Sequence, residues 1–381
     1  MKIAVVVVAY NRPTETRRLI DSICAAYYDN DKVDLIVDID KGELQEDIVS
    51  EIQTINWRHG EYNIIKRDEK MGLRPHIYAC GAYTRQYDAV IVLEDDILVA
   101  ESYYLFAKNA CVYYDDDERV SQISLYAYAV NEFESRPFYP EKNASDVYMI
   151  QVAQSWGECW TKRMWNAFTE SDSYAKESFT YKDSLHNRVN AWKKTSWKKN
   201  FFHYLIDSDT YVVYPYYSFV TNYSEQGEHC KKRIPDYHVV MQTGVVKEYK
   251  LLPFHDCVKY DSFFERVLDA ECDEYNNICM DLYGSKTSYG NASYLISTKS
   301  LPYRTIETYG LIRRPHEVNV VQKERGEGIF VYDLSHECKP PKRDEEIMLR
   351  YDFAYLEWRR TVRHALHCIV IGIKEKIRLN Q

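Results

Sequence analysis

The run Val90-Ile91-Val92-Leu93-Glu94-Asp95-Asp96 constrains this chain more than any other stretch. Four apolar residues read as a buried strand, and three acids follow before the apolar Ile97-Leu98-Val99. Adjacent carboxylates repel one another, so a fold tolerates them where a cation sits or where water is plentiful. A lone acidic triplet is commonly a solvated face. Acids that end a hydrophobic strand fall where open α/β sheets hold their ligands, and there a hard divalent cation beside phosphate oxygens suits them better.

Alternating strands and helices surround that run. Residues 3–9 (IAVVVVA) form a β-branched strand closed by Tyr10-Asn11-Arg12-Pro13, and Pro13 opens a helix with Leu19, Ile20, Ile23 and Cys24 on one side. Strands are predicted over 33–39, 62–66 and 89–93, with helices over 46–55 and 75–87 between them. This alternation predicts a parallel sheet with crossover helices. Further along, 103–114 reads as a helix, 120–125 and 211–214 as strands, and 258–282 as an acidic helix. Short strands and turns are expected over 294–334. Residues 345–379 read as a helical tail turning basic through Arg359, Arg360, Arg363, Lys374, Lys376 and Arg378. The expected divisions are 1–100 and 101–245 as two halves of one α/β domain, 246–340 as an accessory region, and 341–381 as the tail.

At 381 residues, 45% of them hydrophobic, the chain can bury a large core. No stretch approaches the roughly 18 consecutive apolar residues of a membrane-spanning helix. The apolar N-terminus lacks a small-residue cleavage site and breaks at Asn11-Arg12-Pro13, so a buried strand in a cytoplasmic protein is expected. The ten cysteines lack C-x-x-C spacing and are expected as reduced thiols, not zinc ligands. A formal charge of −9 argues against nucleic-acid binding. The 35 tyrosines combine apolar area with a polar tip, which suits carbohydrate surfaces.

Six ordered blocks carry a resemblance: VVVVAYNRP, VDIDKG, MGLRPHI, VIVLEDDILVA, SWGECW and TNYSEQGEH. Over residues 1–230 the chain resembles bacterial glycosyltransferases of the GT-A fold, close to inverting family-two enzymes. It is also similar to the eukaryotic N-acetylglucosaminyltransferase that starts complex N-glycan branching. The resemblance implies a mixed, mostly parallel α/β sheet flanked by helices, with a C-terminal extension. It implies an enzyme that moves a sugar, with inversion, from a nucleotide-sugar donor to a glycan or lipid-linked acceptor hydroxyl. UDP is the default nucleotide, and a divalent cation, Mn²⁺ or Mg²⁺, is implied at the diphosphate. Synthesis of a cell-surface polysaccharide, such as capsule or lipopolysaccharide, is the implied setting.

Carried over by position, Asp96 is the implied metal ligand, Asp95 the group reaching ribose or donor sugar, and Glu94 the acid that positions them. Ala9, Tyr10 and Arg12 correspond to the segment that meets the nucleotide. Asp40, with Asp38 as second choice, corresponds to the acid that meets base or ribose. Gly72, Leu73 and Arg74 correspond to a loop over the nucleotide, with Arg74 either a phosphate partner or a surface charge. His229 is implied near the diphosphate as a second metal ligand or phosphate donor, against the plainer reading of a structural histidine. The tryptophans of 155–165 correspond to the acceptor side, where they stack on a sugar or anchor the core.

One position departs from the pattern. The resembling enzymes carry a general-base Asp on the helix after the tryptophan block, where this chain has Lys198 or Lys199. A lysine of ordinary pKa is protonated at pH 7 and cannot accept a proton. The base then falls to Glu158, Asp207 or Asp209. Around 362–377, Ala365, Leu366, Ile369, Val370 and Ile373 alternate with basic residues. Such a helix either lies on an anionic bilayer surface or packs on the catalytic domain. Two other readings compete. A sugar-nucleotide pyrophosphorylase expects a glycine-rich loop where Ala9-Tyr10-Asn11-Arg12-Pro13 stands. A carbohydrate-binding protein that lost catalysis is favoured by the lysine near 198 and disfavoured by the intact acids.

Overall fold

The N-terminal β-branched run becomes β1 (Ile3–Ala9), buried at every position. All-apolar strands belong where both faces of a sheet are covered. Pro13 sets the start of α1 (Pro13–Ala25), which turns Thr16, Leu19, Ile20 and Ile23 inward. The chain continues through β2 (Asp34–Ile39), α2 (Gln45–Ile52), β3 (Tyr62–Lys66), α3 (Leu73–Gly81) and β4 (Ala89–Glu94). The helix predicted over 75–87 starts two residues earlier and gives way to a 3₁₀ turn at Ala82–Arg85. Gly81, its last residue, keeps helical backbone angles, and a Cβ there would lie 2.3 Å from the Trp165 ring.

The structure, a computed structural model, describes residues 1–223, 237–268, 277–342, 345–353 and 358–379. Two compact units divide the chain: Met1–Glu274 with Ser285–Gly290, and Tyr275–Gly284 with Asn291–Gln381. After β4 the first unit adds β5 (Ile97–Val99), α4 (Tyr103–Tyr114), β6 (Val120–Ser124), the short pair β7 (Val130–Asn131) and β8 (Arg136–Pro137), and β9 (Val147–Ile150). Then come β10 (Glu158–Thr161), α5 (Lys162–Glu170), α6 (Asn187–Ala191), α7 (Trp197–Asp207), β11 (Tyr211–Pro215), β12 (Val220–Asn222) and β13 (Lys259–Tyr260). Nine of these strands form one sheet in the order β13-β9-β11-β6-β10-β4-β1-β2-β3. Its β3-β2-β1-β4 portion is parallel throughout. The fold class is therefore the one expected: a mixed, mostly parallel α/β sheet with helices on it and a C-terminal extension.

β10 is the element that organises the site. It runs antiparallel to both neighbours, with Glu158 opposite Val92 of β4 and Ser124 of β6. β11 is parallel to β6 and hence to β4. The last residues of β4, β6 and β11 and the first residue of β10 thus share one edge of the sheet. The approach to β11 lies at the opposite edge.

The acidic helix expected over 258–282 does not form where the structure describes it. Residues 259–260 are β13, 278–281 are a strand, and 269–276 lie outside the described residues. Aromatic packing overrides the helical spacing: Tyr260 and Phe264 are buried against Phe138 at ring distances of 5.2 and 5.0 Å. Residues 246–268 consequently belong to the first unit. The second unit contains β14 (Ile278–Asp281), β15 (Tyr294–Ser297), β16 (Tyr303–Gly310), α8 (Glu317–Val321), β17 (Gly328–Glu337), α9 (Glu345–Asp352) and α10 (Trp358–Leu379). Its sheet has the order β14-β15-β17-β16.

Candidate active site

The parallel pairing of β1 with β2 and β4 sets Val8 opposite Asp38 on one side and Glu94 on the other. One step beyond, the chain leaves the sheet at Tyr10 and at Asp95. The Tyr10 backbone N–H donates to Asp95 Oδ2 at 3.0 Å. Arg12, at the entrance to α1, sets Nη1 3.2 Å from Asp95 Oδ1 and 3.2 Å from Asp96 Oδ2. The structure thereby brings Ala9, Tyr10, Arg12, Glu94, Asp95 and Asp96 together at one strand-end cluster.

The cluster is short of positive charge. Burial, then Asp96 and Asp95, push the Glu94 carboxyl well above its usual range, against the pull of Lys198 and Arg12. Burial and Asp96 push Asp95 up to about 7, although Arg12 and the Tyr10 amide act the other way. Glu158 stands on the same edge, fully buried, and burial with the nearby Glu94 raises its pKa well above normal. Asp96 Oδ1 and both carboxyl oxygens of Glu158 have no hydrogen-bond partner among the described residues. Buried polar atoms are ordinarily satisfied. An oxygen-only donor set with an orphaned Asp96 oxygen fits a hard divalent cation.

Asp207 and Asp209 are not part of this cluster. They precede β11 at the far edge of the sheet, where Asp207 pairs with Lys182 and Asp209 accepts from Gln151 Nε2 at 3.0 Å. The α7 axis separates Lys198 from Asp207 by nine residues, roughly 13 Å. Lys198 and Lys199 differ in their surroundings. Lys199 Nζ donates to the carbonyls of Asn190 and Trp192 at 2.7 and 3.0 Å and tethers a loop. Lys198 is the lysine that acts on Glu94 and Glu158.

Asp40 has its oxygens engaged by backbone amides: Oδ1 accepts from Lys41 and Met71 at 2.8 Å each, and Oδ2 from Gly72 at 3.0 Å. It folds the 71–72 turn onto β2, and Gly72 takes the positive φ of 80° that begins α3. Leu73 is exposed, and Arg74 Nη1 donates to the Lys194 carbonyl at 2.8 Å. Asp38 is fully buried and accepts from Arg67 Nε (2.8 Å), Arg67 Nη2 (2.5 Å) and Tyr83 Oη (2.9 Å), with His76 Nε2 at 3.0 Å. Asp38, His76 and Cys80 form a buried group of metal-ligand types. With a guanidinium, a phenol and an imidazole already on the carboxylate, that group is complete as an internal anchor. His229 lies outside the described residues.

The tryptophans divide by role. Trp160 and Trp165 are core, packed against each other at 5.0 Å, while Trp156 remains partly exposed. Sequence reading missed Glu132 and Trp192, which face Lys198 from 3.8 Å and 5.5 Å. The segment Asn131-Glu132-Phe133-Glu134 has no distinguishing pattern, and Trp192 was visible only as part of a basic, tryptophan-bearing stretch.

No family model and no curated protein sequence matches the chain. Solved structures align with part of it. Residues 1–349 of S. aureus TarS in complex with UDP-GlcNAc align at TM-score 0.39 and 14% identity, over 60% of this chain and 60% of that one. The mannosyltransferase PcManGT from Pyrobaculum calidifontis, in complex with GDP-Man and Mn²⁺, aligns at 0.34 and 13%, over 56% of each chain. GalNAc-T7 with UDP, GalNAc and Mn²⁺ aligns at 0.39 and 13%, over 57% of this chain and 42% of that one. The chain spans 60% or less of each of those structures.

Proposed function

We propose that the chain is a metal-dependent glycosyltransferase that takes a nucleotide-sugar donor, UDP-linked by default, and inverts the anomeric centre on transfer to an acceptor hydroxyl. The observation that carries this reading is the charge deficit at the strand-end acids. Three carboxyls there are held above their ordinary pKa, and a buried oxygen of Asp96 has no partner among the described residues. A divalent cation held by Asp96 would supply Lewis-acid neutralisation of a leaving diphosphate. Arg12 fixes the Asp95 and Asp96 carboxylates, and the Tyr10 amide orients Asp95. Ala9, Tyr10 and the turn held by Asp40, with Gly72, Leu73 and Arg74, are the assigned nucleotide contacts, and His229 is a second assigned ligand. Of the three candidate bases, Glu158 is the one on the acid edge. Its carboxyl is fully buried on that edge.

A thermal-shift screen of nucleoside diphosphates and their sugars, with Mn²⁺ and with chelator, tests this reading. One nucleotide should raise the melting temperature in the presence of Mn²⁺ and not in its absence. No shift with any nucleotide in either condition would sink the reading. The runner-up, a carbohydrate-binding protein without catalysis, predicts binding of sugars but no sugar-nucleotide hydrolysis with Mn²⁺.

We further assign α10 to the surface of an anionic bilayer, which would place the site near a lipid-linked acceptor in polysaccharide assembly. Among the described residues no helix is long and apolar enough to cross a membrane. α10 exposes Val362, Leu366, Ile369, Val370 and Ile373 on one side of a helix that also carries Arg359, Arg360, Arg363 and Lys374. Co-sedimentation with phosphatidylglycerol vesicles should exceed that with phosphatidylcholine and fall on Leu366→Glu. Equal recovery with both lipids refutes the assignment.

A further inference from the structure

We infer that Lys198 is a specificity determinant: with the rings of Trp156 and Trp192 it forms a subsite for an acceptor sugar that bears an anionic group, a carboxylate or a phosphate. The inference deepens the transferase reading and rests on it for the word acceptor.

The position of this ammonium is costly. Lys198 is the second residue of α7 and meets the positive end of the helix macrodipole. Its side chain is only 14% exposed, so desolvation adds to the cost. Such local conflicts concentrate at functional sites. The nearest carboxylate oxygen, Glu132 Oε1, is 3.8 Å away, beyond hydrogen-bond length, and already accepts from the Tyr128 hydroxyl at 2.9 Å. A lysine carries three N–H donors. Lys198 uses none of them in a hydrogen bond among the described residues. Lys199, its neighbour, shows the contrasting case of a structural lysine, with two carbonyls on its nitrogen.

The surroundings identify what this donor awaits. Its nitrogen lies 5.7 Å from the Trp156 ring and 5.5 Å from the Trp192 ring, both partly exposed. The Trp156 ring is backed by Tyr126 at 5.0 Å and Tyr237 at 4.5 Å, and that of Trp192 by Phe202 at 5.6 Å. Held aromatic faces suit the apolar faces of a pyranose. An ammonium between them that makes no hydrogen bond among the described residues, and whose ion pair with Glu132 is long at 3.8 Å, selects an anionic oxygen, because charge-assisted bonds are the strong ones.

An anionic oxygen could arrive on the acceptor or as the donor's diphosphate, and the experiment separates them. Wild type and Lys198→Met are titrated, following tryptophan fluorescence, with glucose, glucuronate, glucose 6-phosphate, and UDP plus Mn²⁺. Wild type should bind one of the acidic sugars at least about tenfold tighter than glucose. Lys198→Met should lose that preference while keeping its UDP affinity, and Lys198→Arg should retain both. Equal binding of acidic and neutral sugars by wild type, or binding of neither, overturns the inference without recourse to any variant. Loss of UDP affinity in Lys198→Met, with the sugar preference intact, assigns the ammonium to the donor and also overturns it. Failure of wild type to bind UDP or any other nucleoside diphosphate with Mn²⁺ instead removes the transferase reading and leaves the sugar comparison standing.

Discussion

Replacing Asp96 with asparagine is expected to act in opposite directions with and without metal. In Mn²⁺ and a nucleoside diphosphate at about a hundred times its dissociation constant, wild type should gain about 2.7 kcal/mol from ligand binding. The variant should gain a few tenths at most, because the orphaned Asp96 oxygen is the assigned metal contact. In chelator the order should reverse or equalise. Asp96 is a cause of the raised pKa values of both Glu94 and Asp95, so removing its charge relieves them. What is lost is a 3.2 Å contact with Arg12, whose guanidinium keeps its second carboxylate partner, Asp95, at 3.2 Å. Paired melting curves in the two buffers read both signs. A variant that melts well below wild type in chelator, or that keeps its full Mn²⁺-dependent gain, would remove Asp96 from the metal.

Much of this arrangement was legible because strand chemistry is local. β1 and β4 announce themselves as β-branched and apolar runs, and the acids that follow β4 must emerge at the end of a parallel strand. Pro13 likewise fixes the start of α1. What local patterning does not report is non-local pairing. Nothing near Asp207 or Asp209 reports that β11 runs parallel to β4, which puts both at the edge opposite Glu94, Asp95 and Asp96. Glu158 shares the edge of those three acids because β10 inserts antiparallel, a fact set by pairing with Val92 and Ser124. The helix expected over 258–282 failed for a related reason: aromatic contacts to Phe138, more than a hundred residues earlier, decide the backbone there. The three backbone partners of Asp40 were not foreseeable, since Met71 and Gly72 reach it only through the fold.

Without metal, stability is expected to fall as pH rises from about 4 to about 7, which is opposite to the usual behaviour of paired carboxylates. Asp95 is moved from 3.8 to about 7, so the folded chain keeps a proton that the unfolded chain releases. Its contribution is fully present below the unfolded value and is lost as pH climbs toward the folded one. Above pH 7 the loss from this single group is on the order of 4 kcal/mol. Glu94 and Glu158 are displaced in the same direction and add to the fall. A divalent cation competes with those protons, so Mn²⁺ should stabilise the protein little at pH 5 and progressively more toward pH 8. Chemical denaturation at half-unit pH intervals, in chelator and in Mn²⁺, should give curves that diverge with pH. Asp95→Asn should flatten the chelator curve, because an amide cannot release the proton. Parallel curves would mean that ionisation of the cluster and metal binding are independent, which a shared set of buried carboxyls does not allow.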